Sequence, residues 1–466
     1  MLSLFDVVII GAGPAGMSAA IEVAKHGASV CILDEQQQAG GQIYRNVSDV
    51  DPALEHVLGK DYLSGRSLVA DFGAATVEHR AGATVWNISD KGTVTYSQNN
   101  AAQQVHGRHI ILAIGAIERP VPIPGWTLPG VVAAGAAQIL MKSDGLAAKN
   151  AVLVGSGPLL YLVATQLLAV GAPPKALIET QTNQQFTAAL AHLFRALKGW
   201  KQLAQGLRFL VTLKQGKVPR FKAATDIAIQ GRECAEAVVF RANGKVHRIE
   251  TDTVLLHQGV VPNTQVSRSL ALDHRYNEIQ RCFQPVTNEL GQSSHPLFSI
   301  AGDGAGIGGA KVAALSGRIC ALNALVNVGK MDEAVCASIL PDLLKSYQSQ
   351  MSIRTFLDIL YTPPESVFLP ADDTIVCRCE EVRAGDIRQY AALGCAGPNR
   401  TKIYGRCGMG PCQGRYCGLS VTEILAAEHN KTQDTIGSFR IRAPLKPVTL
   451  SELAALSETI EHDATA

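Results

Sequence analysis

The sequence predicts an α/β protein built on parallel sheets from repeated strand–helix–strand units, with a small helical module near its C-terminal end. Two observations predict the sheets: Gly11-Ala12-Gly13-Pro14-Ala15-Gly16 and Gly155-Ser156-Gly157-Pro158-Leu159-Leu160 each follow a short apolar run and open a helical pattern. A third predicts the module: six of the eleven cysteines lie between Cys377 and Cys417.

The first unit is complete. Val7–Ile10 is an apolar, β-branched run of the kind that forms a buried parallel strand. A helical pattern runs through Ala20, Val23 and Ala24 to Gly27, and a second strand, Ser29–Leu33, ends at Asp34-Glu35. Gly11 makes the tight turn, Gly13 lets backbone approach a pyrophosphate, and Gly16 lets helix and strand pack closely. The helix N-terminus stabilises phosphate charge. Asp34 stands at the usual spacing for a ribose hydroxyl, with Glu35 beside it.

The second unit repeats the pattern with changes. Its strand Ala176–Ile178 ends at Glu179, and its third glycine position is Leu160, whose bulk is expected to push helix from strand. No basic cluster follows Glu179 at once, which favours NAD over NADP if the pocket is filled. Gly155, Gly157 and Glu179 therefore mark either a working nucleotide site or a retained fold with an empty pocket.

At 466 residues the chain needs several cores. A net charge of +2 and the lack of interleaved basic and aromatic residues point away from nucleic acid. Ala151–Ala172 is long and uncharged, but its glycines, Pro158 and polar residues fit a buried strand–turn–helix and no transmembrane segment. With no signal peptide read at the N-terminus, the expectation is a cytoplasmic protein, peripheral at the inner membrane only through partners. There, clustered cysteines bind metal or do redox work more often than they pair.

The cysteine module opens at Cys377-Arg378-Cys379-Glu380-Glu381. It continues through a helix over 384–393 to Arg406-Cys407-Gly408-Met409-Gly410-Pro411-Cys412 and a last helix past Leu419. Glycine loops expose N–H groups to metal-bound thiolates, and Arg378 and Arg406 would offset cluster charge. Cys377, Cys379, Cys407 and Cys412 make a [2Fe–2S] cage, with Cys417 as a reserve fourth ligand. Structural zinc on the same sulfurs, or no metal, remain alternatives. Cys31, Cys234, Cys282 and Cys320 read as core thiols, and Glu380-Glu381 as a solvated helix start.

Gly40-Gly41-Gln42-Ile43-Tyr44, Ile110–Ala116, Gly259-Val260-Val261-Pro262-Asn263 and Leu297–Asp303 together resemble the two-dinucleotide-binding-domain flavoproteins, over about residues 5–325. That resemblance implies FAD held by Gly11, Gly13, Pro14, Ala15, Gly16, Asp34, Glu35, Gly41, Gln42, Val85, Ala113, Gly115, Gly302 and Asp303, with Asp303 on the ribityl chain. It also implies an FAD domain of residues 1–145 and 265–330 and a second nucleotide-binding-like domain of 146–264. The cysteine module itself resembles the bacterioferritin-associated-ferredoxin-like domain, which implies a [2Fe–2S] domain of 372–430, with a helical linker over 331–371 and a tail over 431–466. Disulfide-reductase chemistry is discounted, because no cysteine pair faces the flavin.

The combination resembles the larger flavin subunit of hetero-oligomeric amine and amino-acid dehydrogenases. This family includes opine oxidases, D-hydroxyproline dehydrogenase, archaeal proline dehydrogenase and hydrogen cyanide synthase. The resemblance implies a glycine-oxidase-like flavoprotein β subunit that oxidises the amine carbon. It further implies, in some members, a small ferredoxin-like γ subunit, FMN at a subunit interface and a non-catalytic adenine nucleotide. The function expected is electron transfer from an amino acid or secondary amine of the D-hydroxyproline, opine or proline class. Glycine oxidation in a cyanide synthase, a stand-alone NAD(P)H:acceptor oxidoreductase and a non-catalytic scaffold are its rivals. No catalytic residue is evident, as expected if the chemistry sits in another chain.

Overall fold

The computed structural model describes residues 2–456; the expected tail extends beyond them. Its largest sheet is built from the first glycine-rich unit. Glu78–Ala81, Val30–Asp34, Ser3–Ile10 and Ala101–Leu112 lie side by side in parallel. Ala101–Leu112 is long enough to have two partners on its far side. Its first half pairs antiparallel with Thr93–Gln98, and its end pairs parallel with Phe298–Ile300, so chain from beyond residue 290 completes the sheet.

The helices Pro14–Lys25 and Ala310–Asn327 pack on one face of this sheet with backbones nearly touching: a Cβ on Gly317 would stand 2.0 Å from the carbonyl oxygen of Ala15. A side chain at this crossing point would force the helices apart.

A second parallel sheet orders Arg220–Phe221, Ala176–Glu179, Val152–Ser156, Val254–Gln258 and Val131–Ala133. Beside it lies an antiparallel sheet of Thr225–Gln230, Ala237–Ala242 and Lys245–Glu250. The two halves are joined by a short ribbon in which Ala116–Glu118 pairs with Val260–Pro262. Leu160 is fully buried in a core shared by both halves, at the start of the helix Pro158–Ala169. The bulk at the third glycine position is thus absorbed as core packing.

The helices Glu333–Met351 and Arg354–Leu360 lead to the cysteine module. There a hairpin of Ile375–Cys377 and Val382–Arg383 precedes the helices Ala384–Ala392, Pro398–Gly405 and Gly418–His429. Val376, Val421, Ile424 and Phe439 belong to the same buried cluster as Val8, Ile10 and Leu112 of the first sheet. The module therefore packs its core directly onto the first sheet.

Candidate functional site

The first glycine loop is a cradle with no room for side chains. Gly11 has φ +103°, and a Cβ there would lie 2.5 Å from the Ala113 carbonyl oxygen. A Cβ on Gly41 would stand 2.8 Å from Cα of Gly13, so the Gly40-Gly41 turn closes directly over the helix N-terminus. Ala15 packs against Gly302, where a Cβ would come within 2.8 Å of its methyl group. Pro14 takes the first helical position, where the missing N–H costs nothing.

Asp34 accepts hydrogen bonds from the N–H of Ala12 at 2.5 Å and of Gln36 at 2.7 Å. Burial raises its pKa, opposed by those two bonds. Glu35 instead points to Lys446, 2.5 Å away. Asp303 accepts from the N–H groups of Gly308 and Gly309, each at 2.9 Å, just before the helix Ala310–Asn327. Gly115 (φ +64°) leads into the ribbon, and Val85 is half-buried in the strand Thr84–Ile88. Helix N-terminus, glycine turn and the Asp34 carboxylate lie together as a dinucleotide requires, so this loop fits FAD, whereas Glu35 is turned to Lys446 and Val85 lies in a strand outside the cradle.

One contributor gives no sequence signal. Lys142, buried on the helix Ala134–Asp144, donates from Nζ to the carbonyls of Gln42 at 3.2 Å and Ile43 at 3.0 Å. It fixes the loop that covers Gly13. Burial, then Arg45, lowers its pKa from 10.5 to about 7.

The second glycine loop has different surroundings. A Cβ on Gly157 would meet the His257 ring at 3.1 Å, and His257 Nδ1 lies 2.6 Å from Glu118 Oε1. Glu179 is fully buried and paired with Arg220, whose Nε donates at 2.7 Å; its other oxygen has no partner among the described residues. Arg220 also stacks over Tyr161, 5.7 Å from the ring centre. The acid at the end of the second strand already has a cation of its own.

Five thiols gather in the C-terminal module. The Sγ atoms of Cys377, Cys407 and Cys417 all lie within 4.8 Å of one another, and all three residues are buried. Cys379 and Cys412 form a second, outer pair at 3.8 Å. The reserve residue Cys417 thus sits among the inner thiols, while Cys412 pairs with Cys379.

Hydrogen bonds from Cys407 and then Cys417, joined by the backbone N–H groups of Gly408 and Glu380, hold Cys377 far below the usual thiol range. The bond to Cys377 in turn raises Cys407 and Cys417, and burial raises Cys379. Thiolates in two groups, one buried and one facing outward, suit a soft metal or a two-iron cluster.

Glycine lets the loops close. A Cβ on Gly410 would lie 2.3 Å from Cβ of Cys379, and Cβ atoms on Gly408 and Gly414 would strike the Phe439 ring.

Two expectations are corrected. Cys234 is exposed, lying in the turn before the strand Ala237–Ala242, while Cys31, Cys282 and Cys320 are buried. Glu380 and Glu381 do not begin a helix: Glu381 has φ +52°, Glu380 pairs with Arg406 at 2.9 Å, and the first-turn acid is Asp386. Arg406 is thereby engaged by a carboxylate, and Arg378 stacks on Trp126 at 5.4 Å.

The module is tied to the body by specific bonds. Trp126 Nε1 donates to the Ile375 carbonyl at 2.6 Å, anchoring the strand that carries Cys377. Asn263 N–H donates to the Gly115 carbonyl at 3.0 Å, and two residues later Gln265 Nε2 donates to the Cys412 carbonyl at 3.1 Å. Arg281 pairs with buried Glu423 at 2.8 Å.

Residues 5–317 match the pyridine nucleotide-disulphide oxidoreductase family, and residues 372–457 match the sarcosine oxidase A3 domain. The chain is 41% identical to an opine oxidase subunit of Rhizobium meliloti, over 98% of this chain and 88% of the relative. It is 32% identical to hydrogen cyanide synthase subunit HcnB of Pseudomonas protegens, over 98% of this chain and 99% of the relative. Among solved structures, L-proline dehydrogenase from P. horikoshii shares the fold, with a TM-score of 0.68 over 97% of this chain and 80% of that one at 18% identity.

Proposed function

Because the chain belongs to the pyridine nucleotide-disulphide oxidoreductase family and aligns over nearly its whole length with an opine oxidase subunit, we propose that it is the electron-transferring flavin and iron–sulfur subunit of a hetero-oligomeric dehydrogenase. It is an FAD-dependent oxidoreductase subunit, and its substrates are amino acids or secondary amines of the opine class. The observation that carries this reading is the 41% identity to the opine oxidase relative across 98% of the chain. The cyanide-synthase relative, at 32%, supports the same subunit role and gives no preference for glycine.

Bound FAD supplies a two-electron acceptor, and a [2Fe–2S] cluster a one-electron outlet. Gly11, Gly13, Gly16, Gly41, Asp34 and Asp303 would hold the first. Cys377 and Cys407 with Cys379 and Cys412 would hold the second, with Cys417 packed against the inner pair. Gly115, Asn263, Gln265 and Cys412 are joined by backbone and hydrogen bonds. They fix the position of one cofactor loop relative to the other.

The partner supported by this reading is a flavoprotein β subunit of the glycine-oxidase type, where the amine carbon is oxidised; a small ferredoxin-like γ subunit fits the same assembly. Coexpression with such a β subunit, followed by anaerobic assay with an opine and a dye acceptor, tests it. Turnover should need both chains, and the purified chain should contain iron and acid-labile sulfide. Steady turnover by this chain alone would overturn the proposal.

A further inference from the structure

Between Glu179 and Asp226 the chain carries no acidic residue and eight basic ones. In the same interval the structure leaves large apolar side chains in solvent. Phe194 is 89% exposed, Leu207 64% and Trp200 61%, with Phe186, Leu190, Leu197 and Val211 also exposed.

The helix Trp200–Gln215 is apolar on two faces. Leu213 is buried in the core and Phe209 and Leu210 pack against it. Trp200, Leu207 and Val211, spaced i, i+7 and i+11, form a second stripe turned away from the protein. Lys201 and Arg208 follow Trp200 and Leu207 by one residue each, so they flank that stripe. Phe186, Leu190, Phe194 and Leu197 repeat helical spacing through the preceding short helices. Arg195, Lys198, Lys201, Arg208 and Lys214 are exposed, and none is in an ion pair among the described residues. Among the described residues the one carboxylate bonded to this helix is Asp61, which accepts from Gln205 at 2.8 Å.

Seven large apolar side chains exposed between Phe186 and Val211 mark this segment as an interaction surface, because apolar side chains left in solvent are ordinarily scattered singly. The partner must match two features: an apolar phase at shallow depth, and negative charge around it. A bilayer with anionic headgroups offers both. Trp and Phe enter the headgroup boundary, and Lys and Arg face the phosphates. No helix of the described residues is long and apolar enough to cross a membrane, so any contact is from one side.

We propose that residues 183–217 form a docking face for an anionic phospholipid surface. The segment belongs to the second nucleotide-binding half and includes neither the thiols nor the first glycine loop. The proposal therefore stands whichever substrate the assembly oxidises.

The test is cosedimentation of the full chain with vesicles of phosphatidylcholine containing phosphatidylglycerol, beside vesicles of phosphatidylcholine alone. Binding is expected to the anionic vesicles only, and to be lost at high salt. Trp86 and Trp126 are 6% and 7% exposed, so a blue shift of tryptophan emission on binding reports Trp200. The doubly substituted Phe194→Ser/Trp200→Ser chain, and separately Lys198→Glu/Lys201→Glu/Arg208→Glu, should weaken binding at least about tenfold with flavin content unchanged. Failure to bind anionic vesicles would overturn the proposal. So would binding that neither variant weakens. Burial of Trp200 on mixing with the partner flavoprotein, or self-association abolished by Leu207→Glu without lipid binding, would reassign the face to a protein contact and also overturn it.

Discussion

Gln265 Nε2 donates to the carbonyl of Cys412 at 3.1 Å, three residues after the ribbon strand Val260–Pro262 and in the loop that would carry an outer ligand. The ribbon itself is bonded to Gly115 through Asn263. A rigid hydrogen-bonded path thus runs from the flavin-side turn to the thiol loop. Gln265→Leu keeps the volume and removes the bond, worth about 0.5–1.5 kcal/mol. Flavin and iron content should stay near normal. Dye reduction by the assembled enzyme should fall several-fold in stopped flow.

The two thiol groups give a ligand test. Cys379→Ala and Cys412→Ala each remove half of the outer pair and should abolish iron and acid-labile sulfide. Cys417→Ala leaves both the outer pair and the Cys377–Cys407 contact and should retain them. Iron analysis of anaerobic preparations decides this. Retention in Cys412→Ala with loss in Cys417→Ala would exchange the two roles.

At the glycine cradle, Gly41→Ala must place a methyl 2.8 Å from Gly13 Cα at φ +59°. Strain of about 1–3 kcal/mol is expected there. The ratio of bound flavin to protein should drop, and added FAD should restore it only in part.

Lys142 makes stability depend on pH. Its folded pKa, about 7, lies below its ordinary 10.5, so the unfolded chain binds more protons between those values. Its contribution to stability therefore rises with pH through that window and is lowest below it. Urea melts across this range should show a steeper rise for the native chain than for Lys142→Met.

Arg220→Ala would strand the fully buried Glu179 carboxylate, at a cost of about 3–5 kcal/mol. Adding Glu179→Gln should recover most of that loss in thermal melts.

Local signals are the legible ones. Gly11, Gly16 and Asp34 stand in one short stretch whose spacing carries the turn and the strand end, and the strands before them are short apolar runs; Asp303 is reached only through the resemblance of Leu297–Asp303 to the flavoprotein family. Cys377 and Cys379 are likewise readable. Which later thiol faces which is not, because the loop from Cys407 to Cys417 is folded by contacts with Phe439 and Cys379, distant in sequence. Lys142 and Arg220 are invisible for the same reason: each is one basic residue among many until the fold brings it to a carbonyl or carboxylate. Leu160 misleads because its bulk looks excessive beside one strand, while a core shared by two halves receives it.

The chain near the end of the described structure has a consequence for engineering. Phe439 fills the space beneath Gly408, Gly414 and Gly418, the Leu445 N–H reaches the Trp86 carbonyl, and Lys446 holds Glu35. A graft of the thiol module that stopped at the helix Gly418–His429 would lack its own floor. Any portable version must carry the stretch through Lys446, and it will bring with it two contacts meant for a host's first sheet.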